Sequence, residues 1–381
     1  MRAYVFTDKA LASEAGRFVW LSIDSEKSQN GPFKVQFPVA ALPSFFVLDP
    51  TTEKPVLRWV GGMTVAQVRG VLDDGEALVR GTTSKGAADV ALKRADGLYG
   101  EAKYPEAAAA YREAIAAAPA GWVHYARAVE SALYALSSTK DYETAVLLSR
   151  EAYPRVGRGP SMASVAATGL DCAMQLPVEH VHRKEWIEAF EANSRSAVTD
   201  LALEIAADDI SGVYQTLIAA REDAKDSTGV HDYTVQWAAF LDGAAARAPN
   251  PDARAVFDSH RLGACLDLGT PERAIPMLQA SERDLPADYN PPARLAVIYK
   301  AMKKWDDALA ASDRALTKSY GPRRLGILQT RSDIYRGRGD VEKARKTLDD
   351  AVHEAEALPP GQRNDATIAA LKKKRDAMAV Q

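Results

Sequence analysis

Cys172 and Cys265 are the only thiols in the chain. They lie far apart, in neither a CxxC nor a metal-ligand spacing, so they define no disulfide framework and no zinc site and read as buried free thiols. Glu179, His180 and His182 crowd together in PVEHVHRKEW (177–186). Histidines two apart on a helix point to different sides and cannot share a metal; in a loop they could, but no further ligand accompanies them. The carboxylate pairs Asp208–Asp209 and Asp349–Asp350 fit exposed helix faces, with no cleft or partner beside them for general acid–base work. KSYGPRR (318–324) carries Arg323 and Arg324, two guanidinium groups able to meet a carboxylate on a partner. A turn joining two helix pairs, held by Gly321 and Pro322, is the simpler reason for the same residues. GTTSKG (81–86) only partly matches a phosphate loop, because its lysine precedes the second glycine. KKKR (372–375) could meet an anionic partner, but near a helix C-terminus such residues more often favour the dipole on a wet face. These residues predict no catalytic set, no metal and no cofactor.

Bulk properties narrow the setting for such residues. A chain of 381 residues is long for one core and favours two or three units. Hydrophobic residues at 47% and charged ones at 26% are ordinary for a globular protein and argue against global disorder. A net charge of −3 argues against a nucleic-acid footprint, which needs a clearly basic face. No apolar run approaches the ~20 residues of a membrane span. MRAYVFTDKALASEAGR has an acid at Asp8 and no long apolar stretch, so it does not read as a signal peptide.

Beyond Ser84 the chain becomes alanine-rich and reads as helical almost throughout. In residues 88–119, Ala95, Leu98 and Tyr99 mark a first helix, Tyr104 closes a turn, and Ala107, Tyr111 and Ala114 mark a second that Pro119 stops. Antiparallel helices pack closely only where one offers a small residue to the other's bulk. Each pair leaves an apolar face bare, so pairs must stack. The order returns with Leu133, Leu136, Tyr142, Ala145 and Ala152; with Leu262, Gly269, Ala274, Leu278 and Pro286; with Leu295, Ala296, Tyr299, Trp305, Ala308 and Ala315; and with Ser332, Tyr335, Gly339, Ala344, Leu348 and Ala351. Ala274 and Ala308 are 34 residues apart, and Ala308 and Ala344 are 36 apart. This pattern resembles the tetratricopeptide repeat. Between about 160 and 250 the phase is lost, and the segment reads as degenerate helix pairs continuing the stack.

The first 80 residues read differently. FVWLSID (18–24) is expected to be a buried strand, FKVQFPVAALPSFFVLDP (33–50) a helix end, a proline loop and a strand over Ser44–Leu48, PVLRWVGG (55–62) a further strand, and TVAQVRGVLDDG (64–75) an amphipathic helix. This order resembles the later two-thirds of a thioredoxin fold, and the stretch around Leu42, Pro43 and Ser44 resembles that family's loop before its cis-proline, where an extended peptide docks. An ordinary trans-proline opening a strand is the alternative. The resemblance places the family's first central strand and CxxC just ahead of Met1, with MRAYVFTD similar to the family's residues after that motif. A reactive thiol commonly gains its depressed pKa at a helix N-terminus, and no such turn is present here. Either Met1 is an internal methionine or the fold is a remnant used for docking. The first is favoured, because loss of a central strand would uncover the apolar faces of 18–24 and 44–48.

The sequence thus predicts an incomplete α+β thioredoxin-like fold (1–80), a linker (81–87), an all-α tetratricopeptide-like solenoid of repeats (88–160), degenerate helical pairs (161–250), further repeats (251–360) and a capping helix (361–381). The expected function is a protein-binding scaffold, redox-inactive as written, that holds protein or peptide clients on the solenoid's concave face. The alternative is a thiol–disulfide oxidoreductase whose CxxC lies upstream. The expected compartment is the cytoplasm, or the periplasm if the N-terminus is cut short.

Overall fold

The computed structural model describes residues 5–39, 41–200 and 202–378. In chain order a short helix α1 (Gly31–Gln36) precedes strands β1 (Ser44–Leu48) and β2 (Pro55–Val60) and helix α2 (Val65–Arg80). Helices then come almost without interruption. They are α3 (Ala87–Gly100) with α4 (Tyr104–Ala116), α5 (Tyr125–Ser138) with α6 (Tyr142–Ala152), α7 (Pro160–Met174) with α8 (Arg183–Thr199), and α9 (Ala207–Asp223) with α10 (Ser227–Ala246). After α11 (Pro251–Ala255) come α12 (Asp258–Asp267) with α13 (Ala274–Asp284), α14 (Asn290–Ala301) with α15 (Trp305–Lys318), α16 (Arg323–Arg338) with α17 (Val341–Glu356), and α18 (Asp365–Asp376). The chain divides into two compact units. The first comprises residues up to Phe18 together with Val39–Thr234, and the second comprises Val19–Pro38 together with Val235 onward.

One turn geometry recurs between paired helices. Ala102, Lys140, Lys225, Gly269, Lys303 and Gly339 all have positive φ, between 57° and 95°. Each is followed by a residue whose N–H reaches back five positions: Lys103 to Leu98, Asp141 to Leu136, Asp226 to Arg221, Thr270 to Cys265, Lys304 to Tyr299 and Asp340 to Tyr335, at 2.8–3.0 Å. This is the left-handed C-terminal cap that satisfies the last carbonyls of a helix. It reverses the chain within three residues, and in α3–α4, α5–α6, α12–α13, α14–α15 and α16–α17 the second helix packs back along the first. The packing is then the small-against-large match expected from sequence: Ala95, Ala107, Ala114, Tyr99 and Tyr111 are all buried in the first pair.

In the first unit, β1 and β2 pair antiparallel, with Ser44 opposite Val60 and Phe46 opposite Arg58. Thr64 and Gln67 close a capping box that starts α2. Val47, Leu57, Trp59, Met63, Val68, Val71 and Leu72 bury one face of this hairpin and helix together. Arg58, fully buried, lies between the rings of Phe46, Tyr99 and Tyr104, and its Nη1 donates to the Tyr104 hydroxyl at 3.0 Å. The hairpin is therefore packed onto α3 and α4 within one unit.

The strand expected over 18–24 meets a correction here. Among the described residues the sheet has two strands. Residues 18–24 form no strand, and Val19, Trp20, Leu21 and Ile23 are exposed. With no neighbouring strand to pair its backbone, an apolar run has nothing to hold it in a sheet. The residues compared with a thioredoxin active-site helix begin at Met1, outside the described residues.

In the second unit, α12–α15 bury Ala274, Leu278, Leu295, Ile298, Ala308 and Ala311 together with Ile334 of α16. Leu325, Leu328, Leu348, Ala351, Ile368 and Leu371 form a further core under α18.

Candidate functional site

The first helices of successive pairs in the first unit, α3, α5, α7 and α9, line a cavity of about 430 Å³ that is closed at one edge by the Trp59–Gly62 turn. Each helix contributes polar or ionisable groups: Tyr99 from α3, Glu130 and Tyr134 from α5, Asp171 from α7, and Asp208 and Asp209 from the start of α9. Burial pushes the Glu130 carboxyl up to about 7, against the hydrogen bonds it accepts from Ser161 and Ser164 of α7. Its Oε1 is buried and has no hydrogen-bond partner. Asp209 is pushed up to about 6, by burial first and by the charge of Asp208 second. Burial also raises Asp171. Among the described residues no lysine or arginine pairs with any of these four acids at ion-pair distance.

A buried network fixes α5 and hence Glu130. One turn before Glu130, Arg127 forms a fork to Asp96 of α3 at 2.9 and 3.1 Å and an ion pair with Asp74 of α2 at 2.9 Å. The Tyr111 hydroxyl donates to Asp96 at 2.7 Å. Burial opposes the charge on Asp74, but His124 and Arg127 outweigh it and hold the carboxyl below its usual range. Gly62 completes the edge, since a Cβ there would meet Asp209 Oδ1 at 2.9 Å. The neighbouring Gly61 N–H donates to the Pro43 carbonyl at 2.9 Å. The Leu42–Pro43 bond is cis, Leu42 is exposed, and the Ser44 hydroxyl donates to the Ala41 carbonyl at 2.7 Å. The 42–44 loop therefore adjoins the turn that edges the cavity.

Solved structures similar to the chain include tetratricopeptide-repeat proteins. One from Parabacteroides merdae ATCC 43184 aligns with a TM-score of 0.49 at 11% identity, over 76% of this chain and 99% of that one. The TPR2AB-domain:pHSP90 complex of yeast Sti1 aligns with a TM-score of 0.28 at 14% identity, over 76% and 98%. BtubC (BKLC) from P. vanneervenii aligns with a TM-score of 0.39 at 17% identity, over 60% and 92%. No protein-family model and no curated protein matches the sequence.

Several residues singled out by sequence sit elsewhere. Asp209 is not on an exposed helix face as expected but lines the cavity with Glu130; its helix starts there, and the neighbouring pair supplies the wall. Arg323 and Arg324 are engaged within their own unit. Arg324 makes a fork to Glu354 at 2.8 and 3.1 Å, and Arg323 binds Asp24, Glu26 and Tyr320. His180 and His182 lie before α8 with their rings 5.1 Å from that of Trp186. Among the described residues no group of three His, Cys, Asp or Glu side chains could hold a metal ion. Lys372, Lys374 and Arg375 pair with Glu356, Asp333 and Asp349. Cys172 is buried with its thiol pushed up to about 12 by burial, and Cys265, also raised, belongs to the other unit. Glu130, Asp171, Asp96 and Arg127 escaped the sequence reading, because each is a single charged residue in a helical repeat.

Proposed function

We propose that the chain is a polypeptide-binding scaffold, and that the cavity across α3, α5, α7 and α9 receives a lysine or arginine of an extended partner. The observation that carries this reading is the row of acids there, with no lysine or arginine among the described residues at ion-pair distance from them. Glu130, half-buried with its Oε1 unpartnered, gains most from a cation that arrives beside it, while Asp171 and Asp208 are exposed and add negative charge at the rim. The 42–44 loop, with Leu42 exposed, is the proposed place for partner backbone or an apolar side chain next to that cation.

The order of proline loop, strand, strand and helix over 39–80 supports a thioredoxin-like origin for this part. In that reading the segment serves docking. Thiol exchange needs a depressed thiol pKa and a second sulfur close by, and neither Cys172 nor Cys265 supplies them.

The test is charge selectivity. Labelled twelve-residue peptides alternating glycine with lysine, serine or glutamate are titrated into the full chain and followed by fluorescence anisotropy. The lysine peptide is expected to bind at least tenfold more tightly than the serine peptide, and the glutamate peptide not at all. Equal affinities for all three would sink the reading.

A further inference from the structure

The second unit contains a stretch outside its helix pairs, residues 19–38. Its middle makes a set of polar contacts to two inter-helix loops. The Tyr320 hydroxyl donates to Asp24, and Arg323 donates to Asp24 at 3.2 Å and to Glu26. The Arg323 guanidinium is itself positioned over the rings of Tyr320 and Tyr289, 4.6 and 5.4 Å from their centroids. Gln362 Nε2 donates to the carbonyls of Ser25 at 3.0 Å and Lys27 at 2.7 Å. At Gly321, where φ is +56°, a Cβ would lie 2.3 Å from the Glu26 carbonyl oxygen. At Gly361 one would lie 2.5 Å from the Gly31 carbonyl oxygen. Two bare backbones thus let the loops come up against the segment's main chain.

This is how a protein reads a peptide: an amide side chain takes two main-chain carbonyls, and a guanidinium takes carboxylates two residues apart. Burial does not hold the segment's start, since Val19, Trp20, Leu21 and Ile23 are exposed. Its far end is anchored by Phe37, which is buried, with its ring tilted against that of Phe33 at 4.6 Å between centroids. The polar hold on residues 24–27 is thus separate from the aromatic anchor at 33–37.

We propose that the face formed by Tyr320, Arg323 and Gln362 is a binding site for acidic peptides of the pattern Asp-x-Glu on a separate protein, and that residues 24–27 are its built-in occupant. A partner of that pattern competes with the chain's own segment. The recognition chemistry is charge and main-chain contact, so a partner needs no sequence likeness beyond the two acids.

The probe is a labelled peptide with the sequence of residues 19–32, added to the full chain. The occupant is weakened in a variant carrying Asp24→Lys and Glu26→Lys. Binding to this variant is expected to be at least tenfold tighter than to the wild type, and to disappear when Arg323→Glu and Gln362→Ala are added. A variant that melts like the wild type yet fails to bind the peptide would overturn the proposal, as would binding indifferent to Arg323. A second measurement needs no variant: hydrogen exchange of the amides of residues 25–30 in the wild type. Saturating peptide is expected to speed that exchange, and unchanged exchange contradicts the proposal. A wild-type dimer in sedimentation that dissociates on adding the peptide would assign the site to a second copy of the chain and overturn the separate partner.

Discussion

Glu130 is the residue on which the reading turns, and its chemistry has a sign that can be measured. Burial raises its carboxyl from 4.5 to about 7 in the folded chain. Between those values the folded state holds a proton that the unfolded state has released, so stability falls as pH rises across the window. Glu130→Gln removes this dependence. At ~1.4 kcal/mol per pKa unit the variant gains roughly 3 kcal/mol over the wild type at pH 8, and nothing near pH 4.5. Thermal melts at the two pH values check this, and a variant less stable at both contradicts it. Arg127 behaves in the opposite sense. Arg127→Ala leaves Asp96 fully buried without its cation, which costs about 3–5 kcal/mol and is read by chemical denaturation. None of this was legible in the sequence. One glutamate on α5, one aspartate on α7 and an Asp-Asp pair opening α9 look like ordinary helix-surface acids until stacking brings them together. The Asp208–Asp209 pair was visible, but the wall that makes it a site was not.

At the scale of elements, the helix pairs were readable because their signal is local. Ala95 against Tyr111, or Ala308 followed by Ala315, states which faces must meet. The turn between paired helices was readable only where glycine marks it, at Gly269 and Gly339. Ala102, Lys140, Lys225 and Lys303 take the same left-handed conformation without a residue type that announces it. Lys225 is instructive: the α9–α10 pair lies in the stretch whose phase was lost in sequence, yet it turns like the others. The shared geometry sets two outcomes. Lys303→Gly relieves a left-handed residue and is expected to raise stability by about 0.5 kcal/mol. Gly339→Ala is expected to lower it by about 1 kcal/mol. Denaturant midpoints distinguish the two signs, and a stabilised alanine variant would show that the turn is not set by backbone preference. The strand expected over 18–24 failed for the complementary reason. A run of Phe18, Val19, Trp20, Leu21 and Ile23 has strand character only if a neighbour accepts its hydrogen bonds, and partner choice is not written in the run itself.

On the scale of the whole molecule, a near-neutral chain conceals local charge of both signs. The first unit gathers acids around a cavity, and the second gathers Arg323, Tyr320 and Gln362 around an acidic turn of its own. Net charge argues against a nucleic-acid footprint and says nothing about these two places. The scaffold reading depends on the first. Its most direct test is the affinity of the lysine–glycine peptide for the Glu130→Gln, Asp209→Asn double variant against that for the wild type, at pH 8, where both acids of the wild type are ionised when a cation arrives. Binding at least tenfold weaker to the double variant, with both proteins folded, is the result predicted for a cation seated in the cavity. An unchanged affinity would place the peptide elsewhere and contradict the account.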